Sequence, residues 1–82
     1  MQEELQYAVV LRREALGDGT WTWFAYHPDL PGAESDGTTP EEAVSNLAEA
    51  RALVLEHLAE HDLPAPAPGS SRLGRVILEG AR

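Results

Sequence analysis

Three carboxylates crowd the middle of this chain: Asp29, Glu34 and Asp36. Acids this close are the minimum equipment for general acid–base chemistry. Neither a nucleophile nor a phosphate-cradling loop accompanies them, and Gly17-Asp18-Gly19 reads as a hairpin, not a nucleotide site. His57 and His61 stand four apart, a spacing at which two imidazoles can share a metal ion. The intervening Leu58-Ala59-Glu60 supplies no H-E-x-x-H pattern and no third ligand, so they read as cations near the end of a helix. The absence of cysteine removes thiol nucleophiles, Cys-based zinc sites and disulfide staples together. The chain is therefore expected to be no enzyme and to take no cofactor or metal. The acids become a solvated or partner-facing rim.

A rim needs elements to hold it. With 82 residues there is room for one domain, 1–82, and a chain this short buries only roughly 60% of its unfolded surface, so self-association into a homodimer or larger oligomer is expected. Fourteen acidic residues face six arginines and no lysine, a formal net charge of -8. That surface repels phosphate backbones and is matched to a basic protein partner. Direct nucleic-acid binding is not expected. The longest apolar run, Tyr7 to Leu11, is too short for a bilayer, and Met1-Gln2-Glu3-Glu4 has the wrong charge for a secretory start, so a cytoplasmic protein is expected.

Leu5 to Arg13 alternates as a strand, with Leu5, Tyr7, Val9 and Leu11 on one face. After the glycine hairpin, Thr20 to His27 holds both tryptophans and the phenylalanine and reads as an antiparallel second strand. Aromatics on both of its faces predict a central strand, or one covered by a partner. Pro28-Asp29-Leu30-Pro31-Gly32 forms a rigid turn, since two prolines remove ladder donors. Ala33 to Asp36 is a short third strand. Thr39 as N-cap, Pro40 at the first helical position and Glu42 closing a capping box predict a helix to about Asp62. Its apolar stripe centres on Leu47 and takes in Ala43, Val44, Ala50, Val54, Leu55 and Leu58. Arg51 interrupts that stripe as a salt bridge or as a stem with its head in water. Residues 63–71 are a Pro-rich spacer, and Arg75 to Leu78, within 72–80, is a fourth strand. The core spans 5–62. The expected fold is α+β, a two-layer β-β-β-α-β sandwich with one helix on an antiparallel sheet.

The run Tyr26-His27-Pro28-Asp29-Leu30-Pro31-Gly32, followed by Asp36-Gly37-Thr38-Thr39-Pro40-Glu41-Glu42-Ala43, resembles the HicB family of antitoxins. Trp23-Phe24 before the turn and Leu63-Pro64, Pro66 and Pro68 after the helix extend the resemblance over residues 5–68. It departs at Ala33, often cysteine in the family, and at Arg51, where an aliphatic residue is usual. Many members continue into a DNA-binding segment, which nothing after Arg82 supplies. The resemblance implies a partial ribonuclease H-like fold without its catalytic acids. It also implies a type II toxin–antitoxin role, neutralising a small basic HicA-type mRNA-cleaving toxin. Tyr26, Asp29, Leu30, Glu34 and Asp36 are the expected partner surface. Trp21 and Trp23 are either plain core or anchors of a dimer or other interface. The alternative function is a stand-alone dimerising or regulatory domain with no toxin partner.

Overall fold

A computed structural model describes residues 7–67 and the backbone of 76–79. Strand β1 (Val9–Ala15), β2 (Trp21–Tyr26) and β3 (Glu34–Gly37) precede helix α1 (Pro40–Glu60), and β4 (Val76–Glu79) follows it. The first three strands form an antiparallel sheet, and the full order is β3-β2-β1-β4. With the helix on one side this is a small α+β fold, and β2 is central as its aromatics predict. The expected strand positions Leu5 and Gln6, the spacer from Pro68 to Ser71 and Arg72 to Arg75 lie outside the described residues.

One expectation is corrected by the topology. β4 pairs with β1 in parallel, Val9 facing Val76 and Leu11 facing Leu78, so the sheet is mixed. The reason is geometric. A 21-residue helix spans about 31 Å and carries the chain back to the end of the sheet where β3 began. A strand entered from that end runs in the direction of β3 and β1, and the helix is the crossover that parallel pairing needs.

Strand ends follow local chemistry. β1 runs two residues past Arg13, because the ladder continues to Ala15 opposite Trp21 and Leu16 N–H closes the loop on Thr20 O at 2.9 Å. Gly17 and Gly19 take φ of 87° and 91° there, and the Asp18 carboxylate accepts from the Thr20 hydroxyl and from Thr20 N–H, bonds that hold its pKa below the usual value. The Pro-containing turn is closed twice, by Leu30 N–H on His27 O and by Ala33 N–H on Leu30 O.

The helix begins as predicted, with Thr39 Oγ1 accepting from Glu42 N–H at 3.0 Å. The reciprocal half of the capping box differs. Glu42 reaches one residue further back, accepting from Thr38 N–H at 2.7 Å and from Thr38 Oγ1 at 2.8 Å, which lowers its pKa. The helix stops at Glu60, short of Asp62. Asp62 takes a left-handed φ of 58°, Asp62 N–H bonds Ala59 O, and Leu63 N–H bonds Leu58 O at 2.8 Å, a Schellman stop ahead of Pro64.

The helix lies over β3 and β2. Ser35 Oγ donates to Ala43 O at 2.7 Å and Asn46 Nδ2 donates to Asp36 O at 2.9 Å, stapling its first half to the edge strand. Ala43 and Leu47 are fully buried against Tyr7, Val9, Leu11, Ala25, Leu30 and Ala33, while Ala50, Val54, Leu55 and Leu58 pack partly. Val44, expected in the stripe, is 36% exposed on the helix flank. Contact is tightest at Gly37, where a β-carbon would sit 2.6 Å from Ala43 N and 2.9 Å from Glu42 C. Backbone cannot yield there as a side chain would, so Gly37→Ala is expected to cost about 1–3 kcal/mol. A urea midpoint unchanged by that substitution would contradict the close helix–strand approach.

Candidate protein-binding surface

Register sorts the predicted residues onto two faces. Opposed residues share a side of the sheet, so Leu11, Ala25 and Ser35 face the helix, and so do Arg13, Trp23 and Gly37. Trp21, opposite Ala15, continues that side. The other side carries Val10, Tyr26 and Glu34, then Arg12, Phe24 and Asp36. Trp21 and Trp23 are thereby separated from Tyr26, Glu34 and Asp36 by the thickness of the sheet.

The face away from the helix grades from apolar to charged. Val10 is buried, Phe24 and Tyr26 are half-buried, and Glu34 and Asp36 are exposed on the edge strand. Among the described residues no helix or strand lies over it. The Arg12 guanidinium stands 5.5 Å from the Phe24 ring centroid and its Nε donates to Glu14 Oε2 at 3.0 Å. At the end nearest the Pro turn, a groove of about 370 Å³ is lined by Arg12, Tyr26, Glu34 and the rim of Pro28, Pro31 and Gly32. This face has a half-buried aromatic centre and a charged border, the anatomy of a protein-binding patch.

Two predicted surface residues sit elsewhere. Leu30 is fully buried, which corrects its assignment to the partner surface; the turn folds it inward as the plug of the core. Asp29 is half-buried at the turn and acts electrostatically on Tyr7 and His27, away from the carboxylates of β3. Trp23 packs partly against the core, and Trp21 is 47% exposed with the Arg13 guanidinium 4.3 Å over its ring. The rings of His57 and His61 lie 4.4 Å apart on the exposed end of the helix, and the described residues contain no group of three metal-ligating side chains.

The group that positions the turn went unpredicted. His27 is buried, with Nδ1 2.9 Å from Ala8 O and Nε2 3.2 Å from Arg51 Nη1. Both contacts are satisfied by the neutral tautomer that carries its proton on Nδ1, donating to Ala8 and accepting from Arg51. Arg51 thus meets an imidazole, where a salt bridge or a head in water was expected. Tyr7 lies against the same ring, its centroid 5.5 Å away, and its hydroxyl donates to Pro66 O at 2.6 Å, fastening the Pro-rich exit to the start of β1. Burial raises the Tyr7 pKa, helped by Asp29. The sequence did carry a signal for His27: Trp23, Ala25 and His27 have the same parity, so the histidine extends the helix-facing row.

No family model, no curated protein and no solved structure matches this chain. Among the described residues, no helix is long and apolar enough to cross a membrane.

Burial holds the His27 pKa below the ordinary value of 6.5; Arg51 pushes the same way, while the Ala8 carbonyl and Asp29 oppose them. The unfolded chain then takes up a proton before the folded one does, so stability drops as pH falls below about 6.5. Thermal unfolding is expected to move to lower temperature between pH 7.5 and 5.5, and His27→Gln is expected to flatten that slope. A parallel slope in His27→Gln would show that another group carries it. The loss from Asp18 and Glu42 begins lower, below about pH 4.5, where their unfolded carboxyls protonate.

Proposed function

We propose that this chain is a HicB-like antitoxin domain that binds and neutralises a small basic HicA-type ribonuclease through the sheet face turned away from α1. The observation that carries the reading is the arrangement of Phe24 and Tyr26, half-buried, beside the exposed carboxylates of Glu34 and Asp36. Aromatic side chains with an acidic border fit a protein that must itself attract RNA, because carboxylates take the place that phosphates would occupy. The net charge of -8 favours rapid encounter with such a partner. The ordered motifs from Tyr26 to Ala43, and the element order in which they fall, support the family resemblance and its partial ribonuclease H-like architecture.

In this reading the chain performs no catalysis. Its turn and first strand, locked by His27, Ala8 and Arg51, hold a preformed surface, so little ordering entropy is lost on binding. Leu30 contributes by supporting the turn from beneath. The protein acts in the cytoplasm, where its toxin partner would meet messenger RNA.

The test is direct. Mixed with a HicA-type ribonuclease encoded beside it, the chain is expected to copurify and to protect RNA from cleavage. The double variant Glu34→Gln/Asp36→Asn is expected to weaken binding about tenfold and to reduce its salt dependence. Failure to copurify and protect, or an affinity indifferent to both substitutions, would refute the assignment.

A further inference from the structure

The chain has three histidines. His27 is buried, with its two ring nitrogens engaged by Ala8 O and by Arg51. His57 and His61 are exposed, and their ring centres lie 4.4 Å apart with the planes tilted by 47°. Residues four apart share one face of a helix. His57 sits in the last turn of α1 and His61 caps it, with His61 N–H still bonding His57 O at 3.2 Å. The two side chains therefore keep helical register to the end of the element.

A shared metal ion sets a definite spacing between two imidazoles. With the ligating nitrogen about 2.05 Å from the ion, each ring centre lies about 3.2 Å from it. Two rings at a right angle about the ion then have centres about 4.5 Å apart, and at the tetrahedral angle about 5.2 Å. The 4.4 Å between His57 and His61 fits the right angle. Neighbouring positions at a right angle belong to the tetragonal geometry of Cu²⁺ and Ni²⁺, for which imidazole is a suitable ligand. Charge favours a cation at the same place. The last carbonyls of the helix are the negative end of its dipole, and Glu56, Glu60 and Asp62 adjoin the pair in a chain of net charge -8.

We propose that His57 and His61 clamp one Ni²⁺ or Cu²⁺ ion at the end of α1. The described residues bring no third metal-ligating side chain to the pair, so water completes the coordination. The ion cross-links the last helical turn to its cap, just ahead of the Schellman stop and the Pro-rich exit. In the unfolded chain the two imidazoles lose their spacing, so the folded chain holds the ion more tightly and is stabilised by it. This inference stands apart from the antitoxin reading, since it uses none of the same residues and its test needs no ribonuclease.

Thermal unfolding of the full, untagged chain with NiCl₂ as the probe tests it. At about 1 mM Ni²⁺ and about pH 7.5 the wild-type Tm is expected to rise by at least about 2 °C. His57→Asn and His61→Asn are each expected to abolish that rise. Both side chains are exposed, and circular dichroism confirms that the variants stay folded. MgCl₂ at the same concentration is expected to leave the wild-type Tm in place, because Mg²⁺ takes oxygen ligands. Proton spectra give a second readout: paramagnetic Ni²⁺ is expected to broaden the ring resonances of His57 and His61 before those of His27. A wild-type Tm indifferent to Ni²⁺, a rise that persists in either variant, or an equal rise with Mg²⁺ would overturn the assignment. So would broadening that spares the rings of His57 and His61.

Discussion

The sheet is wider than the helix that covers it, and most of the surface chemistry follows from that mismatch. Strands spaced 4.8 Å apart and a helix 10 Å thick cannot be matched four to one. Polar staples decide which half is covered: Ser35 and Asn46 tie the helix to β3, and Gly37 lets the two backbones approach too closely for any side chain between them. With the helix held over the β3 edge, its other flank, bearing Val44 and Glu41, borders a shallow groove beside the buried Leu11. A chain of 82 residues has no second helix among its described elements to fill that space.

The far end of the helix is held differently. Arg51 meets His27, His27 meets Ala8, and Tyr7 reaches from the same ring to Pro66. The residues just before β1, the Pro turn and the helix meet at one imidazole, and Tyr7 links the exit arm to them. Buried polar networks of this kind specify one arrangement when every member is satisfied. Here the network fixes where the turn sits, and hence the rim of the groove beside Tyr26 and Glu34. Placement of the acidic face is thus linked to a buried group on the opposite side of the sheet.

Local chemistry was legible in the sequence. Thr39, Pro40 and Glu42 announce a helix start because capping depends on residues within one turn, and Gly17 and Gly19 announce a hairpin because only backbone conformation is at issue. What depends on distant packing was not legible. Val44 and Leu47 have equal claims to an apolar stripe until the strand beneath the helix is known. Leu30, between Asp29 and Pro31 in a turn, joins the core cluster only through the way the turn folds back. The parallel pairing of β4 belongs to a crossover through the helix, which the residues of the strand do not announce. Of the residues expected at a partner surface, Tyr26, Glu34 and Asp36 fall on one face as period-two alternation requires, Phe24 shares that face, and the two tryptophans lie on the other side.

The central claim is the proposed one, that the sheet face turned away from α1 meets a basic protein. Backbone amide shifts in solution read both sides in one sample. Titration with a basic ribonuclease is predicted to move the resonances of Phe24, Tyr26, Glu34 and Asp36 and to leave those of Arg13, Trp21, Glu41 and Val44 in place. Shifts confined to the helix side, or none at all, would contradict it.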